Sequence, residues 1–463
     1  MSEQVTIEFD SGTLRVSGVS PGCGELPGAT WDEARGCWRA PACARSRIVQ
    51  WLRVRGEPLE DRVELQAAGS GGAWREPELR DYQYAALEAW EDAGRRGVVV
   101  LPTGAGKTRV ALAALARVAT SSLILCPTRA LLDQWRGALS QFYDGAIGVV
   151  GDGEFRPERV TVTTFESAFR HMDGFGDRYG MIVVDEAHHH GSGSRAEGLE
   201  MCAASCRIGL TATPPEEGSA AAARIEHLIG PVICELRVAD LSGQWLAPFM
   251  RLPHSVELTH GERESYDDGY DPFAKARKVW IRHHPDGTWK EFMGDLLRMP
   301  GGRRMLEAYR RAVDIATFPT AKRKLTAALL ARHRRDRTLV FTANAGDAYT
   351  ISADNLVPVI TAETPRAERA AILSSFASGK LRALVSARVL NEGIDVPDAN
   401  VAIVVAGAHG TREHIQRIGR VLRPADGKKA IIHELVTAET IDDIRSRRRS
   451  RIVARALDSA GDV

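Results

Sequence analysis

Residues 102–108, PTGAGKT, combine glycines, a lysine and a threonine in an order that suits phosphate binding. They lie between an apolar run, GVVVL, and a helix-like segment, RVALAALARVA. Small residues let backbone N–H groups approach a phosphate, and the following helix directs its positive N-terminal end at the same anion. The strict motif has glycine where Leu101 stands, but the strand–loop–helix context favours that motif over a chance glycine-rich loop. The predicted nucleotide contacts are Thr103, Gly104, Ala105, Gly106, Lys107 and Thr108, with Lys107 on the β- and γ-phosphates and Thr108 on Mg²⁺.

Two adjacent carboxylates, Asp185 and Glu186, follow the apolar run MIVV about 80 residues after this loop. In a phosphoryl-transfer site one carboxylate holds Mg²⁺ and its neighbour orients the attacking water. Alone, such a pair would usually be a solvated strand end, but downstream of a phosphate loop it predicts a catalytic pair with His188 beside it. Adjacent histidines point in different directions, so we expect His189 and His190 at the surface rather than in a metal site.

A third segment, QRIGRVLR, lies near the C-terminal end of the sequence. If it is helical, Gln416, Gly419, Arg420 and Arg423 fall on one face. An arginine inserted from a second domain stabilises the charge of a transferring γ-phosphoryl group and makes hydrolysis depend on domain closure. We therefore predict that Gln416, Arg420 and Arg423 take part in catalysis.

The elements that must position these residues are short β-branched runs that alternate with helix-length amphipathic segments. The runs in question are GVVVLPT, SLILCPT, VTVTTFES, MIVVDEAH, RIGLTATP, TLVFTA, ALVSA, VAIVVAG and AIIHELV. Continuous apolar strands separated by helices predict a parallel sheet that is covered on both faces. Since the pattern occurs twice, we predict two α/β sheet domains, at residues 75–237 and 321–463.

Two further regions have a different pattern. Residues 1–70 contain the alternating runs VTIEF and TLRVSGV and then the helix-like ARSRIVQWLRVRG, which predicts a small mixed α/β domain before a glycine-rich linker, AAGSGGA. Residues 240–320 are charged, with aromatic residues spaced along them. This region is either a helical insert whose aromatic side chains pack onto a lobe, or a nucleic-acid clamp whose aromatic side chains stack on bases.

The composition is that of a globular protein, because 44% of the 463 residues are hydrophobic and 26% are charged. No apolar run approaches the roughly 20 residues that span a bilayer, and we expect no secretory signal. The seven cysteines are scattered without a CxxC pair, which favours a reducing cytoplasm over a disulfide framework. Residues 445–455 carry six arginines and form either a solvated tail or a nucleic-acid contact.

In their order along the chain, PTGAGKT, VVDEAH, LTATP, VSARVLNEGIDVP and QRIGRVLR resemble the motifs of superfamily 2 helicases, which have two RecA-like lobes. The resemblance covers about residues 75–440. The second lobe is most similar to the XPB type, and WDEARGCWRAPACARSRIVQWLRVRG resembles the damage-recognition domain of that family. The resemblance implies an ATP-dependent 3′→5′ DNA translocase or helicase, acting as a monomer, with a thumb-like helical insert at residues 240–320.

The resemblance also implies roles for individual residues. The implied nucleotide contacts outside the phosphate loop are Arg80, Gln83 and Asp395. Residues expected to hold the DNA strand or to couple hydrolysis to movement are Arg129, Thr164, His188, Thr211, Thr213, Glu392 and Gly393.

One departure from the XPB pattern follows LTATP. Relatives typically continue with an Arg-Glu-Asp triplet thought to help part the duplex, whereas residues 215–218 are PEEG here. Two activities therefore stay open: a helicase, or a duplex translocase that moves without separating strands. A third hypothesis, a DNA-binding adaptor that recruits a nuclease without ATP, does not explain why Lys107, Asp185 and Glu186 are all present. RNA also stays open as the substrate, since such a motor grips mainly the backbone.

Overall fold

The computed structural model describes residues 4–20, 25–63, 71–151, 153–241, 249–387, 399–406 and 430–447. The chain divides into two compact units, of which the first ends at Arg237 and the second begins at Val238. The expected N-terminal domain and first sheet domain share the first unit, and the expected insert and second sheet domain share the second. The predicted α/β fold is confirmed, with two largely parallel sheets and a smaller mixed sheet.

The N-terminal mixed sheet has five strands in the order β3-β4-β2-β1-β5. Its elements are β1 Val5–Asp10, β2 Thr13–Ser17, β3 Thr30–Asp32, β4 Cys37–Pro41, α1 Arg45–Val54 and β5 Leu59–Asp61. Alternate residues of a strand point to one face. Ile7, Leu14 and Val16 are therefore buried together, and Ile48 and Leu52 of α1 complete this core. The alternating pattern that predicted a mixed domain from the sequence thus corresponds to a sheet with one buried face.

The first lobe contains an eight-stranded sheet in the order β13-β6-β12-β11-β7-β10-β8-β9. Its strands are β6 Arg96–Val100, β7 Ser122–Cys126, β8 Ile147–Gly151, β9 Glu154–Arg156, β10 Val160–Thr164, β11 Met181–Asp185, β12 Cys206–Thr211 and β13 Val232–Glu235. Its helices are α2 Asp81–Asp92, α3 Lys107–Val118, α4 Arg129–Leu139, α5 Phe165–His171, α6 Glu197–Glu200 and α7 Ala220–Leu228. Every residue of β7, β10 and β11 is buried, because helices cover both faces of a parallel sheet.

Within the first unit, the N-terminal sheet packs against the first lobe around the segment that precedes β12. Cys43 lies in the core of the lobe, and Ala203 of the lobe lies in the core of the N-terminal sheet. Arg207, which is fully buried, organises this segment with its guanidinium group. The guanidinium donates hydrogen bonds to the carbonyl oxygens of Leu199, Cys202, Ala204 and Leu228.

The second unit contains a six-stranded parallel sheet in the order β14-β19-β18-β15-β17-β16. Its strands are β14 Phe249–Val256, β15 Thr338–Thr342, β16 Val359–Ile360, β17 Ala383–Ala387, β18 Val401–Val404 and β19 Ala430–Thr437. Its helices are α8 Val238–Leu241, α9 His260–His283, α10 Trp289–Arg298, α11 Gly302–Thr317, α12 Thr320–Arg332, α13 Ala345–Asn355 and α14 Arg366–Ala377. None of the helices that the structure describes combines the length and hydropathy of a membrane-spanning segment.

The region expected as linker and insert, residues 240–320, divides between two structures. Strand β14 pairs with β19 at the edge of the second sheet, where the proline at position 253 is tolerated. The helices α9, α10 and α11 form the insert. Tyr266 is buried and contacts the second lobe, since its hydroxyl accepts from the Ile441 N–H. Phe273 and Phe292 are also buried, but they pack within the insert rather than onto a lobe. Trp289, in contrast, is 47% exposed.

Candidate functional site

The predicted phosphate loop joins the carboxyl end of β6 to the first turn of α3, as expected. Gly104 and Gly106 have φ of +86° and +79°, a conformation that favours glycine. A Cβ atom at Gly106 would also collide with Nε2 of Gln83. Lys107 Nζ donates to the carbonyl oxygens of Leu101 and Pro102, at 3.1 and 3.4 Å. The loop thus has the glycine-rich backbone and the adjacent lysine that suit an anionic phosphate.

The structure explains why leucine stands at position 101, where the strict motif has glycine. Its side chain is fully buried, and its backbone N–H donates to the Thr211 carbonyl oxygen at 3.0 Å. The position therefore extends the pairing of β6 with β12 and fills the core beneath the loop. Glycine at this point would remove a buried apolar side chain.

The start of α2 rests directly on the phosphate loop. Gln83 is buried; its Oε1 accepts from the Arg80 backbone N–H at 3.0 Å, and its Nε2 donates to the Ala105 carbonyl oxygen at 2.8 Å. Tyr82 donates its hydroxyl proton to the same carbonyl oxygen at 2.7 Å. Gln83 thus contacts the loop, and Arg80 precedes it at the N-terminal end of α2. The nucleotide contact that the resemblance implied for both residues stays a prediction. The sequence reasoning missed Tyr82, because nothing in the segment LRDYQ indicated that the Tyr82 hydroxyl would contact the loop.

The two carboxylates lie at the carboxyl end of β11, which pairs with β12 and β7. Asp185 is 8% exposed; its Oδ1 accepts from the Glu186 N–H at 3.0 Å and its Oδ2 accepts from Trp135 Nε1 at 2.9 Å. Burial raises the pKa of Asp185, while the Trp135 hydrogen bond and the charge of Lys107 oppose this rise. Glu186 has φ of +51°, a strained conformation for a residue with a side chain. Such strain is typical of functional sites.

A series of short polar contacts leads from Glu186 to the segment LTATP. His188 Nδ1 lies 3.5 Å from Glu186 Oε2 and 3.0 Å from Thr211 Oγ1. Thr211 Oγ1 in turn donates to the Thr213 carbonyl oxygen at 3.1 Å and accepts from the Thr213 N–H at 3.2 Å. The Thr213 hydroxyl oxygen is buried and has no hydrogen-bond partner among the described residues. The acid pair and the segment LTATP are therefore connected by polar contacts, and the series ends at the Thr213 hydroxyl group.

The expectation that His190 lies at the surface is wrong. A short 3₁₀ helix, Ala187–Gly191, turns the His190 ring inward against Phe165, with the ring centroids 4.3 Å apart. The side chain is fully buried, and this burial lowers its pKa to about 3. His189 is half-buried, and its ring lies 4.3 Å from that of His188. Neighbouring histidines do point in different directions, but one of those directions is the core.

Arg129 and Thr164 lie at the same edge of the sheet as Asp185. Arg129 begins α4 after β7, and Thr164 ends β10, the neighbour of β7. Arg129 is exposed, whereas the Thr164 hydroxyl is buried and caps α5 by accepting from the Ser167 N–H at 3.2 Å. Of the two side chains, that of Arg129 is accessible to solvent at this edge.

The departure from the XPB pattern forms a turn that leads into α7. Gly218 has φ of +75°, and the Ser219 side chain caps the helix by accepting from the Ala222 N–H. A surface pocket of about 490 Å³ opens here, lined by residues of the turn together with His188 and Thr211. Arg224, further along α7, lies 3.4 Å from Glu200.

Six predicted site residues lie outside the described residues. They are Glu392, Gly393, Asp395, Gln416, Arg420 and Arg423.

Comparison with known proteins places this geometry in a family. The models that match are the xeroderma pigmentosum group B helicase damage recognition domain at residues 7–63, the res subunit of type III restriction enzymes at 76–216, and the helicase conserved C-terminal domain at 321–425. The chain is 34% identical to the DNA 3′-5′ translocase XPB2 of Sulfurisphaera tokodaii, over 80% of this chain and 84% of that protein. The chain belongs to the XPB family.

A second relative agrees with this assignment, and one solved structure shares the fold. The chain is 32% identical to the DNA 3′-5′ helicase XPB of Mycobacterium tuberculosis, over 89% of this chain and 70% of that protein. Among solved structures, the Hef helicase domain of Pyrococcus furiosus matches with a TM-score of 0.51 and covers 80% of this chain and 98% of that chain. At 18% identity, that match establishes a shared fold.

Within this XPB-family chain, the sequence reasoning missed one further residue at the site. Trp135 belongs to the apolar stripe of α4, with Leu131, Leu132 and Leu139. That stripe predicts a core position and gives no signal for a polar role. Only the fold brings the indole nitrogen to Asp185.

Proposed function

We propose that this chain is an ATP-driven 3′→5′ DNA motor of the XPB type, which hydrolyses ATP and uses the energy to move along DNA. The observation that carries the proposal is the set of contacts joining Glu186, His188, Thr211 and Thr213. These contacts connect the predicted hydrolytic carboxylate to the segment LTATP over consecutive distances of 3.0 to 3.5 Å. A change at the nucleotide therefore has a direct mechanical route out of the site.

The residues of the loop fit a nucleotide with its Mg²⁺ ion. The cradle at Gly104 and Gly106 has no room for a Cβ atom at position 106, and backbone N–H groups provide the phosphate contacts. Thr108 and Asp185 supply the hydroxyl and carboxylate oxygens that Mg²⁺ prefers. When bound, the ion neutralises charge on the β- and γ-phosphates. We assign Arg80 and Gln83 to the adenine base.

The chain's own groups then have distinct tasks. Lys107 exchanges its bonds to the Leu101 and Pro102 carbonyl oxygens for bonds to the phosphates. Glu186, held in its strained conformation, orients the attacking water. His188 and Thr211 transmit the change in Glu186 to Thr213, whose unpartnered hydroxyl is positioned for a new contact.

The remaining roles complete the motor. Arg129 and Thr164 hold the backbone of the DNA strand at the edge of the first sheet. Gln416, Arg420 and Arg423 supply the second lobe's part of the hydrolytic site, and Asp395 binds the nucleotide from that lobe. Glu392 and Gly393 link the lobe to the strand. We place the protein in DNA repair or DNA processing, acting as a monomer.

A second candidate activity is movement on duplex DNA without strand separation. It is favoured by the turn at residues 215–218, where the parting triplet of XPB relatives is replaced, and by Arg224, whose charge is engaged by Glu200. A strand-displacement assay on a 3′-tailed duplex, run beside a triplex-displacement assay, separates the two activities. Triplex displacement without duplex unwinding establishes the translocase and eliminates the helicase.

The substrate class is tested by the rate of ATP hydrolysis on single-stranded, duplex, forked and bubble DNA, with RNA of the same sequence as control. The motor proposal expects strong stimulation by DNA. A nuclease-recruiting adaptor, in contrast, binds DNA without any change in ATP hydrolysis, and this result would reject the motor.

A further inference from the structure

The hydrogen bond between Trp135 and Asp185 joins two elements that approach the same end of the sheet. Trp135 lies on α4, is 1% exposed, and donates its indole N–H to Asp185 Oδ2 at 2.9 Å. An indole nitrogen is a donor only, and an ionised carboxylate is an acceptor only. The bond therefore has one possible direction, and it favours the charged carboxylate.

Two N–H groups donate to different oxygens of the Asp185 carboxylate. The Glu186 N–H takes one lone pair of Oδ1, and the Trp135 N–H takes one lone pair of Oδ2. Together they fix the rotation of the carboxylate about its own axis. Each oxygen keeps its second lone pair, and these remaining lone pairs are the ones a metal ion can use.

The packing of α4 on the lobe fixes the position of the Trp135 side chain. Helix α4 begins at Arg129, the exposed cation at the edge of the sheet, and continues through Trp135 to Leu139. The rest of the apolar stripe, Leu131, Leu132 and Leu139, is buried against the lobe. The helix is thus fixed on the lobe, and its indole group is held at a defined place relative to Asp185.

We propose that Trp135 is a positioning residue for the metal site: its indole N–H orients the Asp185 carboxylate so that it binds Mg²⁺ beside the nucleotide. The proposal rests on the proposed function, because it takes Asp185 as the ligand. Partners of metal ligands typically contribute 10- to 100-fold to metal affinity. Loss of this N–H should therefore weaken metal binding roughly tenfold, while the nucleotide itself still binds through the phosphate loop.

The first lobe contains a matched control. Trp90 is also fully buried, and its indole N–H donates to the Arg207 carbonyl oxygen, likewise at 2.9 Å. That bond lies at the N-terminal end of β12, at the opposite edge of the sheet from Asp185. Trp90→Phe and Trp135→Phe therefore remove hydrogen bonds of equal length from equally buried rings. The Trp90 bond ends at a backbone carbonyl oxygen away from the site, whereas the Trp135 bond ends at the Asp185 carboxylate.

The experiment measures metal binding without catalysis. Full-length wild type, Trp135→Phe, Trp90→Phe and Asp185→Asn are saturated with ADP and titrated with Mn²⁺ as the probe ion, with free Mn²⁺ followed by electron paramagnetic resonance. The affinity for ADP without metal is measured in parallel. We expect Trp135→Phe to raise the dissociation constant for Mn²⁺ roughly tenfold, with wild-type values for Trp90→Phe and unchanged metal-free ADP affinity in both.

Two results would overturn the assignment of Trp135: wild-type Mn²⁺ affinity in Trp135→Phe, or an equal loss in Trp90→Phe. Wild-type affinity in Asp185→Asn would instead show that Asp185 is not the ligand, which is a failure of the proposed function. If Trp135→Phe does not fold, benzothienylalanine at position 135 replaces it, because this analogue keeps the two-ring shape and removes only the N–H. The same tenfold change is expected and the same null result refutes it.

Discussion

Replacing Thr211 by valine tests the route from the nucleotide site to the coupling segment. The substitution keeps a β-branched side chain of similar shape and removes only the hydroxyl group. That oxygen is buried and makes three contacts: with His188 Nδ1 at 3.0 Å, with the Thr213 carbonyl oxygen at 3.1 Å and with the Thr213 N–H at 3.2 Å. Thr211→Val therefore severs the connection at its centre.

The size of the effect follows from these contacts. Leaving buried hydrogen-bonding groups without a partner costs about 1–3 kcal/mol. Each 1.4 kcal/mol corresponds to about a factor of ten in a rate or an equilibrium constant. Lys107, Asp185 and Glu186 keep their own contacts, so ATP hydrolysis should stay within about threefold of wild type. Movement per ATP hydrolysed should fall roughly tenfold, because the free energy lost belongs to the connection.

The assay is triplex displacement with phosphate release recorded in the same sample. Thr161→Val is the matched control, because Thr161 is buried at the other end of the sheet and its hydroxyl also makes three hydrogen bonds. Two of them are with the backbone of Glu158 and one is with Tyr179. We expect a similar loss of stability there and wild-type movement per ATP. Wild-type movement per ATP in Thr211→Val, or an equal loss in Thr161→Val, would refute the reasoning.

Three further predictions concern stability, measured by urea unfolding. His190 has a pKa of about 3, against 6.5 for a free histidine, so the free energy of unfolding of the first unit should fall by up to about 1.4 kcal/mol per pH unit as the pH decreases from 6.5 towards 3. His190→Leu should remove this contribution to the pH dependence, and an unchanged slope in the variant would contradict the burial of His190. Arg207→Met, which leaves four buried carbonyl oxygens without their donor, should cost about 3–5 kcal/mol. Arg224→Met, which removes a partly exposed ion pair with Glu200, should cost less than about 1 kcal/mol. Lys322→Met should destabilise the second unit by about 3–5 kcal/mol, because buried Lys322 Nζ lies 2.7 Å from Asp442 Oδ2. Wild-type stability in Arg207→Met or in Lys322→Met would contradict the stabilising role of the corresponding buried contacts.

Much of the first lobe could be predicted from the sequence because two signals coincide there. The strands β6, β11 and β12 are continuous apolar runs, and each ends in a motif with its own chemistry. In a parallel sheet the carboxyl ends of neighbouring strands meet at one edge. The register confirms this, with Asp185 paired to Leu210 and Thr211 paired to Val100.

The rest depended on tertiary structure. Strand β14, FMRLPHSV, contains a proline, an arginine and a histidine, so its local pattern does not indicate a strand, and only pairing with β19 makes it one. The His190 ring is buried because the 3₁₀ helix after β11 turns it towards Phe165, which lies on a different element. Trp135 has the spacing of a core residue and also fulfils that role, so its contact with Asp185 leaves no trace in the local sequence.

The central claim is that hydrolysis at the phosphate loop drives the protein along DNA. The most direct measurement is ATP hydrolysis by Lys107→Ala with and without DNA, beside wild type. Lys107 is the cation of the loop, and its charge opposes the rise in the pKa of Asp185 that burial causes. We predict that the variant still binds DNA but loses the DNA-stimulated hydrolysis, together with triplex displacement. DNA-stimulated hydrolysis that persists in Lys107→Ala would contradict the account.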